Sequence, residues 1–255
     1  MVKFLLLGHG RTGSTLIVKS LDEHPNVRML GELFNIEEAE RSRAFHALNR
    51  IYAPDKLEKR YYIEGEDAEE FLRNGVFYKR PWQEIQAVGY KMFYVHARRY
   101  PNEKTAWNYL IHNRDIRIIH LLRRNLFESF VSFKIAMITK EWKRWKGEAK
   151  PHSSVQPLQI DPKELEFYCN QIISYQLWAR QSFRDHPFME FEYETDICGR
   201  FESLMHDIHD FLDVPREPAR QLLEKQAKRP LGEIVANYAQ LKEHFRDTLY
   251  EEFFE

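Results

Sequence analysis

The chain has 255 residues, of which 43% are hydrophobic and 30% charged, and its formal net charge is −1. This is the composition of a folded globular protein, which excludes disordered and fibrous classes, and the near-neutral balance excludes a nucleic-acid binder that acts through an overall basic field. Two cysteines, Cys169 and Cys198, are too few for a secreted disulfide framework, so a cytoplasmic setting is favoured.

The chain begins with the pattern of a strand, a glycine-rich turn and a helix. Residues 4–7 are continuously apolar, as in a strand buried on both faces, and they are too few for a signal peptide or for a membrane span of ~20 residues. A turn follows over 8–13, and a helix is predicted over 14–23, stopped by Pro25. The helix residues expected to face the core are Leu16, Ile17, Ser20 and Leu21.

The rest of the chain continues to alternate between strands and helices. A second short strand is predicted over 27–30, and the later strands over 88–95, 116–122 and 188–193. The later helices are predicted over 126–142, 164–184 and 200–212. This order predicts an α/β fold with a central parallel sheet flanked by helices. We predict one domain over 1–255, with acceptor-side inserts at about 36–80 and 142–162.

The first turn has nearly the spacing of a nucleotide P-loop. Gly8 and Gly13 lie at the two glycine positions, but Ser14 stands where the P-loop lysine is expected, and Thr15 follows it. The backbone N–H groups of such a turn and the positive end of the following helix favour an anion. Arg11 can supply the missing positive charge, so the turn is predicted to bind a phosphate; the alternative is a tight turn with no ligand.

A second anion site is predicted where the 116–122 strand ends. Kinases and NTPases often need an aspartate there to hold Mg²⁺, whereas this chain has Arg123 and Arg124, which repel a cation and attract an anion. Ser132, eight residues beyond Arg124, can hydrogen-bond the same anion. An arginine that only forms a salt bridge is the alternative. Two separated anion sites fit 3′-phosphoadenosine 5′-phosphosulfate (PAPS) better than ATP, and no metal is expected.

These two motifs resemble those of the PAPS-dependent sulfotransferases. Residues 11–15 are similar to the 5′-phosphosulfate loop and residues 124–132 to the 3′-phosphate motif, in the form found in bacterial carbohydrate and nodulation-type members. Residues 228–238 are similar to the cofactor-covering loop of bacterial members. The resemblance implies the P-loop-like sulfotransferase fold. It also implies a cofactor-binding set made up of Arg11, Thr12, Gly13, Ser14, Thr15, Arg124, Ser132, Arg229 and Leu231.

The turn over 8–13, which is predicted to bind a phosphate, is called the phosphate loop below. Sulfuryl transfer to a hydroxyl needs a base at the same edge of the sheet as this loop. Glu32, directly after the second strand, is the predicted base, with a pKa raised by a partly apolar pocket; related enzymes have a glutamate in this region. His96 is the rival base or a substrate contact, and Lys91 is predicted to reach the acceptor or the bridging oxygen. Arg11 is expected to stabilise the leaving phosphate.

The predicted acceptor is a hydroxyl on a small molecule, most simply a carbohydrate or glycolipid. Two other functions stay open: a nucleotide kinase that uses ATP and magnesium, and a protein that binds PAPS without turning it over. The basic and aromatic stretch from Trp142 is either a solvated helix end or a lid over a sugar. His206 and His209 have a metal-like spacing, but the amphipathic pattern favours a solvated helix face.

Overall fold

A five-stranded parallel sheet forms the centre of the protein. The computed structural model describes residues 1–35, 68–78, 84–98, 104–144, 146–147, 156–221 and 229–254. In these residues the strands are β1 (Val2–Gly8), β2 (Val27–Glu32), β3 (Ala87–Phe93), β4 (Ile116–Leu122) and β5 (Phe188–Glu192), in the order β2-β3-β1-β4-β5. The pairings are all parallel, which confirms the predicted α/β fold.

Helices cover both faces of this sheet. The described helices are α1 (Ser14–Asp22), α2 (Ala68–Glu70), α3 (Lys104–His112), α4 (Leu126–Thr139), α5 (Pro162–Ser182), α6 (Phe201–Phe211), α7 (Leu231–Ile234) and α8 (Tyr238–His244). Helix α2 continues as a π-helix over Phe71–Val76, a second π-helix covers Tyr193–Ile197, and a 3-10 helix covers Glu251–Phe254. Long helices connect parallel strands because the chain must return to the same end of the sheet.

The β1 strand sends alternate side chains into two different cores. Leu5 and Leu7 belong to a buried cluster with residues of α2, α3 and α5, whereas Phe4 and Leu6 belong to one with residues of α1 and α6. This two-sided burial explains the continuous apolar run over 4–7, since neither face of the strand meets water at these positions. A third cluster packs the C-terminal helices against Leu126 and Phe127 at the start of α4.

The parallel register brings three strand ends to one edge. Gly8 at the end of β1 pairs with Phe93 at the end of β3, and Leu7 pairs with His120 near the end of β4. The loops that leave these strands therefore start side by side, as the carboxyl ends of parallel strands do in nucleotide-binding folds. The predicted site residues Glu32 and Lys91 lie near the ends of β2 and β3, and Arg11, His96 and Arg124 lie just beyond the ends of β1, β3 and β4.

Several predicted element boundaries differ from the structure. The strand predicted over 88–95 ends at Phe93, because the N–H of His96 bonds the Phe93 carbonyl in a turn. The helix predicted over 126–142 ends at Thr139, where Lys140 adopts a left-handed φ of 57°. Residues 36–67 and 79–80 of the first predicted insert lie outside the described residues, as do residues 145 and 148–155 of the second.

The predicted solvated face of α6 is only partly correct. Asp207 and Asp210 pair with nearby arginines at the surface, but His209 is buried, with its ring 4.8 Å from that of His24. The backbone N–H of Glu217 donates to His209 Nδ1 over 3.3 Å. Among the described residues no cluster of three or more His, Cys, Asp or Glu side chains is arranged to hold a metal. In that same part of the chain, no helix is both long and apolar enough to cross a membrane.

Candidate active site

The loop between β1 and α1 has the backbone shape of an anion-binding turn. Arg11 and Gly13 adopt left-handed φ angles of 69° and 76°. A Cβ on Gly13 would lie 2.9 Å from a ring carbon of Tyr193, so only glycine fits at this position. No side chain caps the helix that starts at Ser14, which suits a helix end that receives an anionic ligand.

The small polar residues of the loop take different roles. Thr12 is buried and its hydroxyl donates to the His9 carbonyl over 3.0 Å, so this side chain braces the loop from within. Ser14 is buried at the first position of α1, and Thr15 beside it is partly exposed. The predicted set from 11 to 15 therefore stays together at the edge of the sheet, with Thr12 as a structural member.

Arg11 connects the phosphate loop with helix α4. Its Nε donates to Ser132 Oγ over 2.9 Å, and its Nη1 donates to the carbonyl of Trp142 over 2.6 Å. Burial and the nearby charge of Arg123 lower the pKa of Arg11 to about 10, which leaves it charged at neutral pH. The sequence predicts Arg11 and Ser132 at opposite ends of a nucleotide, whereas here the two side chains are in direct contact.

The loop after β4 presents Arg124 at the surface. The side chain is exposed, while its backbone N–H and that of Asn125 donate to the two carboxylate oxygens of Glu194 over 3.0 and 3.1 Å. Asn125 caps α4 by accepting from the Glu128 N–H over 2.8 Å. Ser132 follows on the same helix and is partly buried.

A buried carboxylate and a buried lysine lie together near the ends of β2 and β3. Glu32 and Lys91 lie on the neighbouring strands β2 and β3, with 5% of each side chain exposed, and Lys91 Nζ is 2.5 Å from Glu32 Oε1. Asn35 donates to Glu32 Oε2 over 2.7 Å, and His96 Nε2 lies 3.8 Å from the same oxygen. The structure thus groups the three residues predicted for proton transfer and acceptor contact.

The expected direction of the Glu32 pKa shift is wrong. Burial alone would raise this pKa, but the Lys91 charge and the hydrogen bonds from Asn35 and Lys91 outweigh it, so the pKa lies below its ordinary value. Glu32 is therefore an ionised carboxylate at neutral pH. It is ready to accept a proton, although with a weaker intrinsic basicity than the sequence alone suggests.

The hydrogen bonds of His96 fix which of its nitrogens carries the proton. Burial lowers its pKa to about 4, so the ring is neutral at neutral pH. The Phe93 N–H donates to Nδ1 over 3.2 Å, and a neutral imidazole that accepts at one nitrogen carries its proton on the other. The proton is thus on Nε2, 3.8 Å from Glu32 Oε2, so His96 offers a donor toward the carboxylate and is a poor base.

The C-terminal residues of the predicted set lie beside helix α4. Leu231 is partly buried against the cluster that contains Leu126 and Phe127, which directly follow the Arg124 loop. Arg229 is exposed immediately before α7. Lys228, which belongs to the same sequence motif, lies outside the described residues. The motif is therefore near the second anion position along the chain surface, and its contact with a nucleotide stays a prediction.

Three polar residues of the site have no clear sequence signal of their role. Asn35 positions Glu32, and Glu194 holds the Arg124 loop from a segment about 70 residues further along the chain. Arg123 is buried, unlike its exposed neighbour Arg124. The arginine pair is visible in the sequence, but which of the two faces solvent depends on the twist of the strand end and on partners from other elements.

Comparison with known proteins finds relatives that cover nearly the whole chain. A model of the family described as "Sulfotransferase family" matches residues 4–218. The protein named "Nodulation protein H" from Rhizobium meliloti (strain 1021) is 27% identical, with 99% of this chain and 94% of that protein covered. The protein of the same name from Rhizobium tropici is 24% identical, with 99% and 92% covered.

A solved structure described as a sulfotransferase from Alicyclobacillus acidocaldarius has a TM-score of 0.48 and 12% identity, with 96% of this chain and 91% of that chain covered. The family match includes the phosphate loop, Glu32, Lys91 and the Arg124–Ser132 segment. Because the family model matches residues 4–218, which include both of the motifs predicted to bind anions, the chain belongs to the sulfotransferase family.

Proposed function

We propose that this protein transfers a sulfuryl group from PAPS to a hydroxyl group of a carbohydrate or glycolipid. The observation that carries the proposal is the placement of Arg11 and Arg124 at the ends of adjacent strands β1 and β4, beside a glycine loop and a helix start. Two cations in the loops that leave neighbouring strands suit a nucleotide with a charged group at each of its 5′ and 3′ positions. Membership in the family supports a transferase activity of this kind.

In the proposed reaction Glu32 removes the proton of the acceptor hydroxyl. As the acceptor oxygen forms its bond to sulfur, the bond from sulfur to the bridging oxygen of the donor breaks, and negative charge develops on the phosphate that leaves. Arg11 and the N–H groups of the loop stabilise that charge. Lys91, paired with Glu32, holds the carboxylate in its ionised form, and His96 donates from Nε2 toward the same carboxylate or the acceptor.

The proposed acceptor class rests on the surface next to Arg11. Trp142, whose carbonyl accepts the Arg11 hydrogen bond, is 48% exposed, and Met137 and Ile138 on α4 are also exposed. The flat apolar face of a tryptophan packs against the C–H face of a sugar ring.

Both cysteines are free, which fits the cytoplasmic setting that we include in the proposal.

A thermal-shift comparison tests the donor. We expect 3′,5′-ADP to raise the Tm without added metal, because Arg11 and Arg124 provide the positive charge that a kinase takes from Mg²⁺. Adenosine 5′-phosphate is the matched control and is expected to give a smaller shift. Stabilisation only by ATP with Mg²⁺ would reject the proposal in favour of a nucleotide kinase.

Transfer of ³⁵S-sulfate separates an enzyme from a protein that only binds PAPS. We expect label from the donor to appear on a carbohydrate in a screen of sugars, glycolipids and phenols. Label transfer to a phenol alone would contradict the acceptor class and leave the donor assignment standing. Binding of 3′,5′-ADP with no transfer to any acceptor in the screen would favour the non-catalytic alternative.

The lowered pKa of Glu32 predicts a wide pH range of activity. A carboxylate whose pKa is depressed stays ionised until the pH falls through that low pKa, so kcat/KM should stay level down to about pH 5 and decline only below it. Because His96, with a pKa of about 4, would give a decline in the same range, the profile should also be measured in His96→Asn. A decline near pH 6.5 in the wild type would contradict this assignment.

A further inference from the structure

Arg123 makes contacts that the anion site predicted at Arg123 and Arg124 does not explain. The residue is 5% exposed and lies directly after β4. Its Nη1 donates to the backbone carbonyl of Arg11 over 2.6 Å, and its Nη2 donates to Glu128 Oε2 over 2.7 Å. The guanidinium thus points into the protein and uses its fork to join the phosphate loop to helix α4.

The same guanidinium contacts a third segment, the π-helix after β5. Its carbon lies 4.6 Å from the centre of the Tyr193 ring, and its Nε is 3.6 Å from Glu194 Oε1. The Tyr193 ring is the group that packs against Gly13. Glu194 is the group that accepts the N–H of Arg124. Arg123 therefore touches, directly or through one neighbour, both of the loops that are proposed to hold the nucleotide.

The backbone at Arg11 gives this contact its significance. A residue with a side chain rarely adopts a φ of 69°, and it does so only where surrounding contacts hold it there. The Arg123 hydrogen bond is made to the carbonyl of that same residue, so it acts on the conformation that aims the Arg11 side chain at Ser132. A lysine at 123 would keep the charge, but it could not reach a carbonyl, a carboxylate and a ring face together.

We propose that Arg123 is a positioning residue that holds the phosphate loop in its binding shape and fixes the loop relative to helix α4. It acts through Arg11 and Ser132 and makes no contact with the donor itself. The identity of the nucleotide rests on the proposed function, whereas the positioning of the loop by Arg123 can be measured without any ligand.

Strand β4 provides a matched control for Arg123. Arg117, on the same strand β4, also donates to a backbone carbonyl, that of Phe211, and also pairs with a carboxylate, that of Asp213. It lies near the start of β4, far along the strand from the phosphate loop. Arg117→Lys therefore removes a similar set of contacts at the other end of the sheet and reports what such a loss costs in stability alone.

We expect Arg123→Lys to weaken 3′,5′-ADP binding by about tenfold or more, and Arg123→Met to weaken it by a similar factor, since the fork is lost in both variants and the charge only in Arg123→Met. Arg117→Lys should leave binding within about twofold of the wild type. Wild-type affinity in Arg123→Lys together with weak binding in Arg123→Met would overturn the proposal, because charge alone would then suffice.

A double-mutant cycle tests whether Arg123 acts through Arg11. In the Arg11→Gln background, Arg123→Lys is expected to weaken 3′,5′-ADP binding by a clearly smaller factor than in the wild type, because the Arg11 side chain that it positions is already gone and only the loop N–H groups remain. Equal losses in the wild-type and Arg11→Gln backgrounds would show that Arg123 acts independently, which contradicts positioning. A general loss of stability would likewise give equal losses in the two backgrounds, so it is also distinguished from positioning.

Hydrogen exchange of the ligand-free protein separates this inference from the proposed function. In Arg123→Lys the amides of residues 8–16 should exchange faster than in the wild type, and in Arg117→Lys they should not. If the wild type binds no 3′,5′-ADP, the proposed function fails, and unchanged exchange in this loop then overturns the positioning role on its own. Should Arg123→Lys fail to fold, Glu128→Ala, which removes the carboxylate that accepts the Arg123 Nη2 hydrogen bond, is expected to speed the same amides.

Discussion

Replacing Glu32 with glutamine is expected to lower turnover by roughly 10²–10⁴-fold, the usual contribution of a general base. Glutamine has nearly the shape of glutamate but cannot accept the proton of the acceptor hydroxyl. Since Glu32 lies on β2, apart from the loops that carry Arg11 and Arg124, the affinity for 3′,5′-ADP should stay within about twofold. Single-turnover kinetics and equilibrium binding measure the two effects separately.

This substitution also leaves the buried ammonium of Lys91 without its carboxylate. Breaking a buried ion pair on one side costs about 3–5 kcal/mol of stability, so Glu32→Gln should unfold at a lower temperature. The double variant Glu32→Gln with Lys91→Met removes both charges and is expected to recover most of that stability. Because the double variant still has no base, its turnover should stay low; recovered turnover would mean that instability caused the loss.

His96 supplies the comparison that decides which residue is the base. With its proton on Nε2 and its Nδ1 occupied by the Phe93 N–H, the ring is expected to contribute as a donor. We therefore expect His96→Asn to lower turnover by less than about tenfold, well short of a missing general base. A large loss in His96→Asn with little change in Glu32→Gln would transfer the base to His96.

The parts of the fold that the sequence predicts are those set by local patterns. The apolar runs at 4–7 and 116–122 lie in strands buried on both faces, so burial alone specifies them. The start of α4 was also predictable, because Asn125 caps it and bonds the Glu128 N–H. Ends of elements were less predictable, as at Lys140, where a left-handed residue stops α4 without a glycine or proline.

The site depends on contacts between segments that are far apart in the chain. Glu32 and Lys91 become neighbours only because β2 pairs with β3, and no local pattern indicates this pairing. The direction of the Glu32 pKa shift follows from that contact, since burial and the ion pair act in opposite directions. The distinction between buried Arg123 and exposed Arg124 likewise depends on Glu194, which comes from a distant strand end.

Replacing Arg124 with alanine is expected to remove most of the preference for a 3′ phosphate. A charged hydrogen bond to phosphate contributes about 1.5–3 kcal/mol, so affinity for 3′,5′-ADP should fall by about 10–100-fold. Affinity for adenosine 5′-phosphate, which has no group at this position, should change by less than about twofold. The fold should be unaffected, because Glu194 accepts the backbone N–H of residue 124, which alanine retains.

Isothermal titration of both nucleotides against both proteins measures this loss of preference. Arg114→Ala is the matched control, because it removes another exposed arginine, one that pairs with Asp185. Arg114 lies just before β4 begins and is therefore at the opposite edge of the sheet. An equal loss for the two nucleotides in Arg124→Ala would show that Arg124 acts on the 5′ group or on the loop as a whole. Since Arg11 already contacts Ser132, Arg124 would then have no separate anion to hold, and the proposed division of the donor between two arginines would be wrong.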